Sequence, residues 1–411
     1  MPQVCANCFD DPDIQAFITE HDDEPGCDFC ERDDAPTIDL DTLCEYLRDR
    51  LLLFFGLANG TLLRDDESES GFFGETWETD QLLFGEMALE LPRDSNSELA
   101  RALINAVDPQ DWWCELDPGG FSEDVGLLLD WDRFCRIAKK YKGLLPPRKA
   151  KKRKAWFDDA RTPDALLKEI ARLIVSYNLI TTLPSGTKIY RGRPNEKGHR
   201  YRTPKTLGPP SRKRAMRPNR MNRPGDPMFY GADRAAVVDA ELDNRESMIG
   251  TFTIQRDIRL LDLAHLPPAP GYFSGADRED VLFLIFLHRF AELISLPIDR
   301  DGRGADDYFP TQAFTSGVRN RLFEGKRIDG IRYRSAKRVR GTNIVLFATQ
   351  ADLIGAGRYP DRGWIKLKRA RSRIKAISAG ARSDRTKADQ ERLLRLAAKT
   401  DALPLFDGND A

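Results

Sequence analysis

The chain has 411 residues, too many for one ordinary domain, so two or three are expected. Hydrophobic residues at 41% suffice for sizeable cores, and 31% charged residues reads as a soluble protein. The longest apolar runs, "LLLFFGLA" and "VLFLIFL", are too short for a bilayer, and no basic segment leading into an apolar core opens the chain, so a cytoplasmic protein without a membrane partner is expected.

The net charge of −1 hides an asymmetry. Residues 1–140 hold 34 acidic and 10 basic side chains, which leaves 31 and 54 of the totals of 65 and 64 for the remainder. Halves of opposite sign imply either mutual contact or a basic half that meets an anionic ligand. One consequence is an expectation that residues 1–145 partly cover a basic cleft as a salt-sensitive restraint.

In chain order, residues 1–36 read as a zinc knuckle: Cys5 and Cys8, eighteen residues, then Cys27 and Cys30. Two C-x-x-C pairs at this separation suit a closed, structural four-thiolate zinc site. Cys44, Cys114 and Cys135 sit in apolar surroundings and read as buried thiols. Residues 37–145 read as helical, with apolar helical spacing in "LDTLCEYLRDRLLLFFG" and "SNSELARALINAV". A Pro-rich basic linker is expected over 146–156, then a connecting helix within 157–185 that starts at Thr162 as N-cap with Pro163 at its first position. From residue 186 the pattern changes to "TKIYRGR", "PMFYGA", "SMIGTFTI", "DGIRYRS" and "TNIVLFA" as strands, with "DRAAVVDAELDN" and "REDVLFLIFLHRFAELIS" as helices. This predicts an α+β domain around a mainly antiparallel sheet over 186–350. Residues 351–411 read as a helical extension and tail, with an amphipathic helix in "KADQERLLRLAAKT".

The segment "RMNRPGDPMFYGADRAAVVDAE", Arg220 to Glu241, concentrates chemistry at a strand–helix junction. Glu241 falls on an almost wholly apolar helix, between the directions of Val237 and Val238. Tyr230 ends the preceding strand, Arg220 and Asn222 flank a Pro-Gly turn, Arg191 follows the strand "TKIY", and Ser335 ends "DGIRYR". Guanidiniums match phosphate oxygens, a tyrosine ring can stack on a base, and a carboxylate can stabilise a ribose cation.

In this order the residues resemble the RES domain, named for its Arg, Glu and Ser, over roughly 186–350. The segment "NRMN" matches the family's Gly-Arg-Trp-Asn turn, with Met221 in place of the Trp and Asn219 in place of the Gly. The resemblance implies a fold similar to ADP-ribosyltransferases and NAD+ as substrate, whose nicotinamide–ribose bond is cleaved with water or phosphate as acceptor. It implies Glu241, Ser335, Arg220 and Tyr230 as catalytic residues, and Arg191, Arg220, Tyr230 and Asn222 as the dinucleotide-binding set. Transfer of ADP-ribose to a macromolecule is the alternative. A toxin or stress effector with an antitoxin or regulatory partner, and a homo-oligomer, follow as further expectations.

The region before it resembles the HEPN-like domain of longer family members. The Arg-then-His signature of HEPN nucleases is absent there, since His21 has no arginine before it. A nucleic-acid-binding zinc protein is the reading from another class, resting on "RKAKKRK", "SRKRAMRPNR" and "KLKRARSRIK". Against it, the knuckle sits among acidic residues that would repel phosphates. A long basic insertion over 194–218 is left as a lid, a phosphate clamp or a solvated loop.

Overall fold

The computed structural model describes residues 2–374, apart from 22–25, 31, 33, 69, 93–97, 108–111, 117–121, 146–160, 196–200, 243–245, 297–305, 338–339 and 357–360. The expected linker over 146–156, the amphipathic helix near the C-terminus and the Ser or Asn cap before Glu98 lie outside the described residues.

Eight strands form the principal sheet: β1 (Ile180–Leu183), β2 (Lys188–Pro194), β3 (Phe229–Ala232), β4 (Glu246–Ile254), β5 (Ile258–Asp262), β6 (Gly330–Arg334), β7 (Thr342–Leu346) and β8 (Ile365–Ile374). Their order is β8-β4-β2-β3-β7-β6-β5-β1, and every neighbouring pair is antiparallel except β5 with β6. The domain is thus α+β with a mostly antiparallel sheet. Three strands escape the sequence pattern. β1 is four residues long and lies within the stretch assigned to the connecting helix, and β5 is a short run hidden before a loop. β8 corrects the expected helical extension: "IKLKRARSRI" forms an edge strand on β4, and its alternating charges suit an exposed sheet edge.

The helices of seven residues or more are α1 (Pro12–Glu20), α2 (Leu40–Phe54), α3 (Glu98–Val107), α4 (Glu123–Lys140), α5 (Pro163–Ser176), α6 (Ala235–Glu241), α7 (Arg278–Ser295) and α8 (Phe309–Arg319). Thr162 caps α5 as the sequence predicts, its side chain accepting from the Ala165 amide. One face of the sheet is covered by α4, α5, α7 and α8, around Trp131, Phe286, Phe290 and Phe314. The other face buries Ile189, Phe229, Phe252, Ile344 and Leu346, with Leu207 from the insertion.

The N-terminal region builds a second core from α1, α2, α3 and the cysteine segment, and this core includes Phe273, Val281 and Leu282. α7 therefore belongs to both cores. Tyr46 Oη donates to the Phe273 carbonyl at 2.5 Å, and Arg50 donates to the carbonyls of Tyr272 and Ala276 at 2.9 Å each. The junction is mainly apolar and hydrogen-bonded, with ion pairs at Arg278–Glu123, Arg161–Asp130 and Lys139–Asp307 beside the apolar contacts. Among the described residues, no helix is long and apolar enough to cross a membrane.

Candidate active site

A cavity of about 690 Å³ draws its lining from both sides of the sheet: Met228 and Tyr333 belong to the helical-face core, whereas Arg191 lies over Phe229 of the other. It lies where β2 and β3 diverge: these strands share one paired position, Tyr190 with Ala232, whereas β2 and β4 share seven. Arg191 bridges the gap, its Nε donating to the Leu207 carbonyl at 2.9 Å and its Nη1 to the Tyr230 carbonyl at 2.6 Å. Burial, then the neighbouring Arg193, holds this guanidinium down to about 9, well below the usual arginine value. Arg191 thus lines the cavity with two of its N–H groups already committed to the backbone.

The turn after Arg220 is shaped by its own residues. Pro224 precedes Gly225 at φ +82°, and the Asp226 amide donates to the Arg223 carbonyl, which is the pattern of a type II turn. Tyr230 Oη donates to Asn222 Oδ1 at 2.7 Å and accepts from the Met221 amide at 3.1 Å. Burial, then Tyr333, pushes this phenol far above its ordinary value, so it stays a neutral donor. Asn222 is buried and spends its amide on the Arg223 carbonyl. Tyr230 and Asn222 both border the cavity, but their polar atoms are turned to holding the loop.

Sequence reasoning missed the support from α8. Gln312 Nε2 donates to the carbonyls of Asn219 and Asn222, at 2.8 and 2.9 Å, and Thr311 Oγ1 donates to the Arg220 carbonyl. Met221 is 1% exposed, in the helical-face core, and receives a hydrogen bond from Thr315 on its sulfur. These polar residues on α8 lie more than eighty positions from the loop, so no local pattern could reveal them. Arg220 Nη1 donates to the Ile294 carbonyl at the end of α7, at 2.7 Å, and its guanidinium lies over Tyr333.

Glu241 ends α6, which rests on β2 through Val238 and Leu242. An added Cβ at Gly192 would stand 2.5 Å from Val238 and 2.4 Å from Leu242, so the glycine sets the helix's close approach. An Asp239–Arg373 ion pair ties the same helix to β8. Glu241 Oε1 accepts from Ser335 Oγ at 2.8 Å and from Asn343 Nδ2 at 3.0 Å. Ser335 also accepts from the Lys337 amide and stands behind Glu241 rather than among the cavity's lining residues. Asn343 does line it; its sequence signal was an amide side chain at the head of the apolar run in "TNIVLF".

Cations dominate the charged lining: among the described residues, Arg191, Arg193, Arg214, Arg217, Arg220 and Lys337 stand against the single carboxylate Glu241. Arg214 and Arg217 come from the basic insertion, which is anchored by buried Leu207 and a capping box at Thr203, and so is a built wall rather than a solvated loop. All lining residues fall between 191 and 343. Among the described residues, none before 145 lines the cavity, which removes the basis for a covering acidic domain.

Far from the cavity, Cys5, Cys8, Cys27 and Cys30 gather with all four sulfurs within 4.8 Å of one another. Adjacent sulfurs lie 3.7, 3.4 and 3.7 Å apart, near the roughly 3.8 Å edge of a tetrahedron built on zinc–sulfur bonds of about 2.3 Å. No disulfide joins them. Cys44, Cys114 and Cys135 stand apart, and burial raises all three thiols, to about 12 for Cys44 and Cys135.

Compared with known proteins, the chain matches the RES domain over residues 190–365 and the HEPN/RES N-terminal domain 1 over residues 20–145. No curated protein matches it. With both segments matched in that order, the chain belongs to the RES domain family, carries the HEPN/RES N-terminal domain ahead of it, and is an NAD+-related enzyme.

Proposed function

We propose that this protein cleaves the nicotinamide–ribose bond of NAD+, on a domain of the ADP-ribosyltransferase type. The observation that carries the reading is Glu241, the one carboxylate among the described lining residues, in a cavity whose other charged walls are all cations. Arg220, with Arg191 behind it, draws the pyrophosphate, while Glu241 faces the ribose that becomes positive as nicotinamide leaves with the bonding electrons. Both described hydrogen bonds to Glu241 fall on Oε1, which leaves Oε2 for a ribose hydroxyl or the developing charge. Ser335 and Asn343 hold that carboxylate, and Tyr230 holds the loop that presents Arg220. Water at the vacated ribose carbon gives ADP-ribose and releases a proton; phosphate gives the phosphorylated sugar.

The four clustered cysteines hold a structural zinc, which closes the N-terminal core and takes no part in the reaction. A toxin or stress effector restrained by an antitoxin fits an enzyme that drains a central dinucleotide. The test is incubation of the purified chain with NAD+, with and without phosphate, followed by product identification. Release of nicotinamide is expected. Intact NAD+ in both arms would overturn the reading, and radiolabel retained on a protein would shift it to ADP-ribosyl transfer.

A further inference from the structure

Three of the cavity's arginines have no task in the scheme above. NAD+ offers one pyrophosphate, for which Arg191 and Arg220 stand ready. Arg193 follows Arg191 by two positions on β2, so both point to the same face of the strand. Its Nη2 donates to the Gly208 carbonyl at 2.8 Å, its guanidinium lies over the Tyr201 ring at 5.5 Å, and its Nε is buried without a partner. Arg214 and Arg217 reach the same cavity from the insertion and are exposed. None of the three has a carboxylate partner among the described residues.

The cluster is held in place rather than drifting. The Gly225 amide donates to the Ala215 carbonyl at 2.7 Å, and Arg212 Nε donates back to the Gly225 carbonyl at 3.2 Å. Burial lowers the pKa of Arg193, and repulsion from Arg214 lowers it further, as Arg193 does in turn to Arg191. Like charges collected in a partly desolvated space raise the free energy of the empty protein, and a bound dianion relieves it. The cavity also lacks, among the described residues, a second carboxylate to accept a hydrogen bond from the adenosine ribose. In dinucleotide sites an acidic residue takes the ribose 2′-hydroxyl, whereas a nearby arginine accommodates a 2′-phosphate.

We propose that Arg193, Arg214 and Arg217 form a phosphate monoester subsite beside the pyrophosphate site, and that the preferred substrate is the 2′-phosphorylated dinucleotide, NADP+. The inference rests on the dinucleotide reading of the cavity and sets its specificity. The same chemistry would also hold free phosphate, the acceptor of a phosphorolysis, so the experiment separates the two sources.

The full chain is given NAD+ or NADP+, each with and without inorganic phosphate, and nicotinamide release is followed as kcat/KM. In parallel, ADP-ribose and its 2′-phosphate are titrated calorimetrically, which needs no turnover. The 2′-phosphate is expected to tighten binding, and to raise kcat/KM, by about tenfold to a hundredfold, as for charge-assisted hydrogen bonds. Arg193→Gln should erase most of that ratio. Arg214→Ala, at an exposed position that cannot unfold the domain, should erase part of it. A ratio at or below one, with ADP-ribose still bound, overturns the subsite while leaving the NAD+ reading intact. Phosphate-stimulated NAD+ turnover that Arg193→Gln abolishes, without any NADP+ preference, assigns the cluster to the acceptor and also overturns the proposal. If neither dinucleotide is consumed and neither ADP-ribose is bound, the dinucleotide reading falls, and the subsite with it.

Discussion

Glu241 and Tyr230 share one short segment but do different work. For Glu241→Gln the amide keeps the shape and loses the charge, so the fold should persist while nicotinamide release falls by about 10²–10³. Turnover within threefold of the parent would remove Glu241 from the reaction. Tyr230→Phe tests the loop. It leaves the buried Asn222 Oδ1 without its 2.7 Å donor and the Met221 amide without its acceptor. A loss of about 1–3 kcal/mol in urea-induced unfolding is expected, with weaker dinucleotide binding as Arg220 loosens. A stacking role alone would predict no change in stability, because the ring is retained.

At the scale of elements, α6 and α7 set the site's two sides. α6 delivers Glu241 only because β2 carries Gly192 beneath Val238 and Leu242. Gly192→Ala should lift the helix, with a cost of about 1–3 kcal/mol in stability and a larger fractional loss of activity than of folded protein. Circular dichroism and turnover measured on the same preparation would check this; full activity would mean that the helix adjusts without moving Glu241. α7 carries the chain about 20 Å, from the N-terminal core at Val281 to the Ile294 carbonyl that holds Arg220. Its sequence is legible as a helix, but its continuous apolar character is explained only by the two cores that it joins.

For the whole molecule, the N-terminal region is bound to the sheet domain by shared apolar cores. Trp131 and Phe134 of α4 lie in the same cluster as Phe290 and Phe314. Elemental analysis of reduced protein should find about one zinc per chain, and a strong chelator should melt the N-terminal core first. Because α7 enters both cores, the sheet domain should lose some stability with it, read as an earlier second transition in tryptophan fluorescence or calorimetry. Protein free of zinc with unchanged unfolding would dismiss the metal. Raising salt is expected to weaken the junction only modestly, since its few ion pairs, such as Arg278–Glu123 and Arg161–Asp130, stand beside extensive apolar contacts that salt does not screen.

By itself, the sequence determined the pieces that depend on neighbours along the chain. The C-x-x-C pairs, the Pro-Gly turn, the Thr162 cap, α7 and most of the strands follow from short-range spacing. The order of Arg191, Arg220, Tyr230, Glu241 and Ser335 was enough to suggest the family. Only the tertiary structure decided which of these residues face the cavity. Tyr230 and Asn222 satisfy each other, Ser335 backs Glu241, and Arg191 fills the breach between β2 and β3, because buried polar groups must find partners wherever the fold brings them. Asn343, Gln312 and Thr311 acquire their roles from contacts across ninety positions or more, and Arg193 from a loop fifteen positions on, at strand and helix faces whose registry no local pattern encodes. The charge asymmetry was read correctly as composition. Its meaning was decided by where the sheet opens: six basic side chains meet at a cavity there, and the acidic region is joined to the domain elsewhere, mainly by its apolar surface.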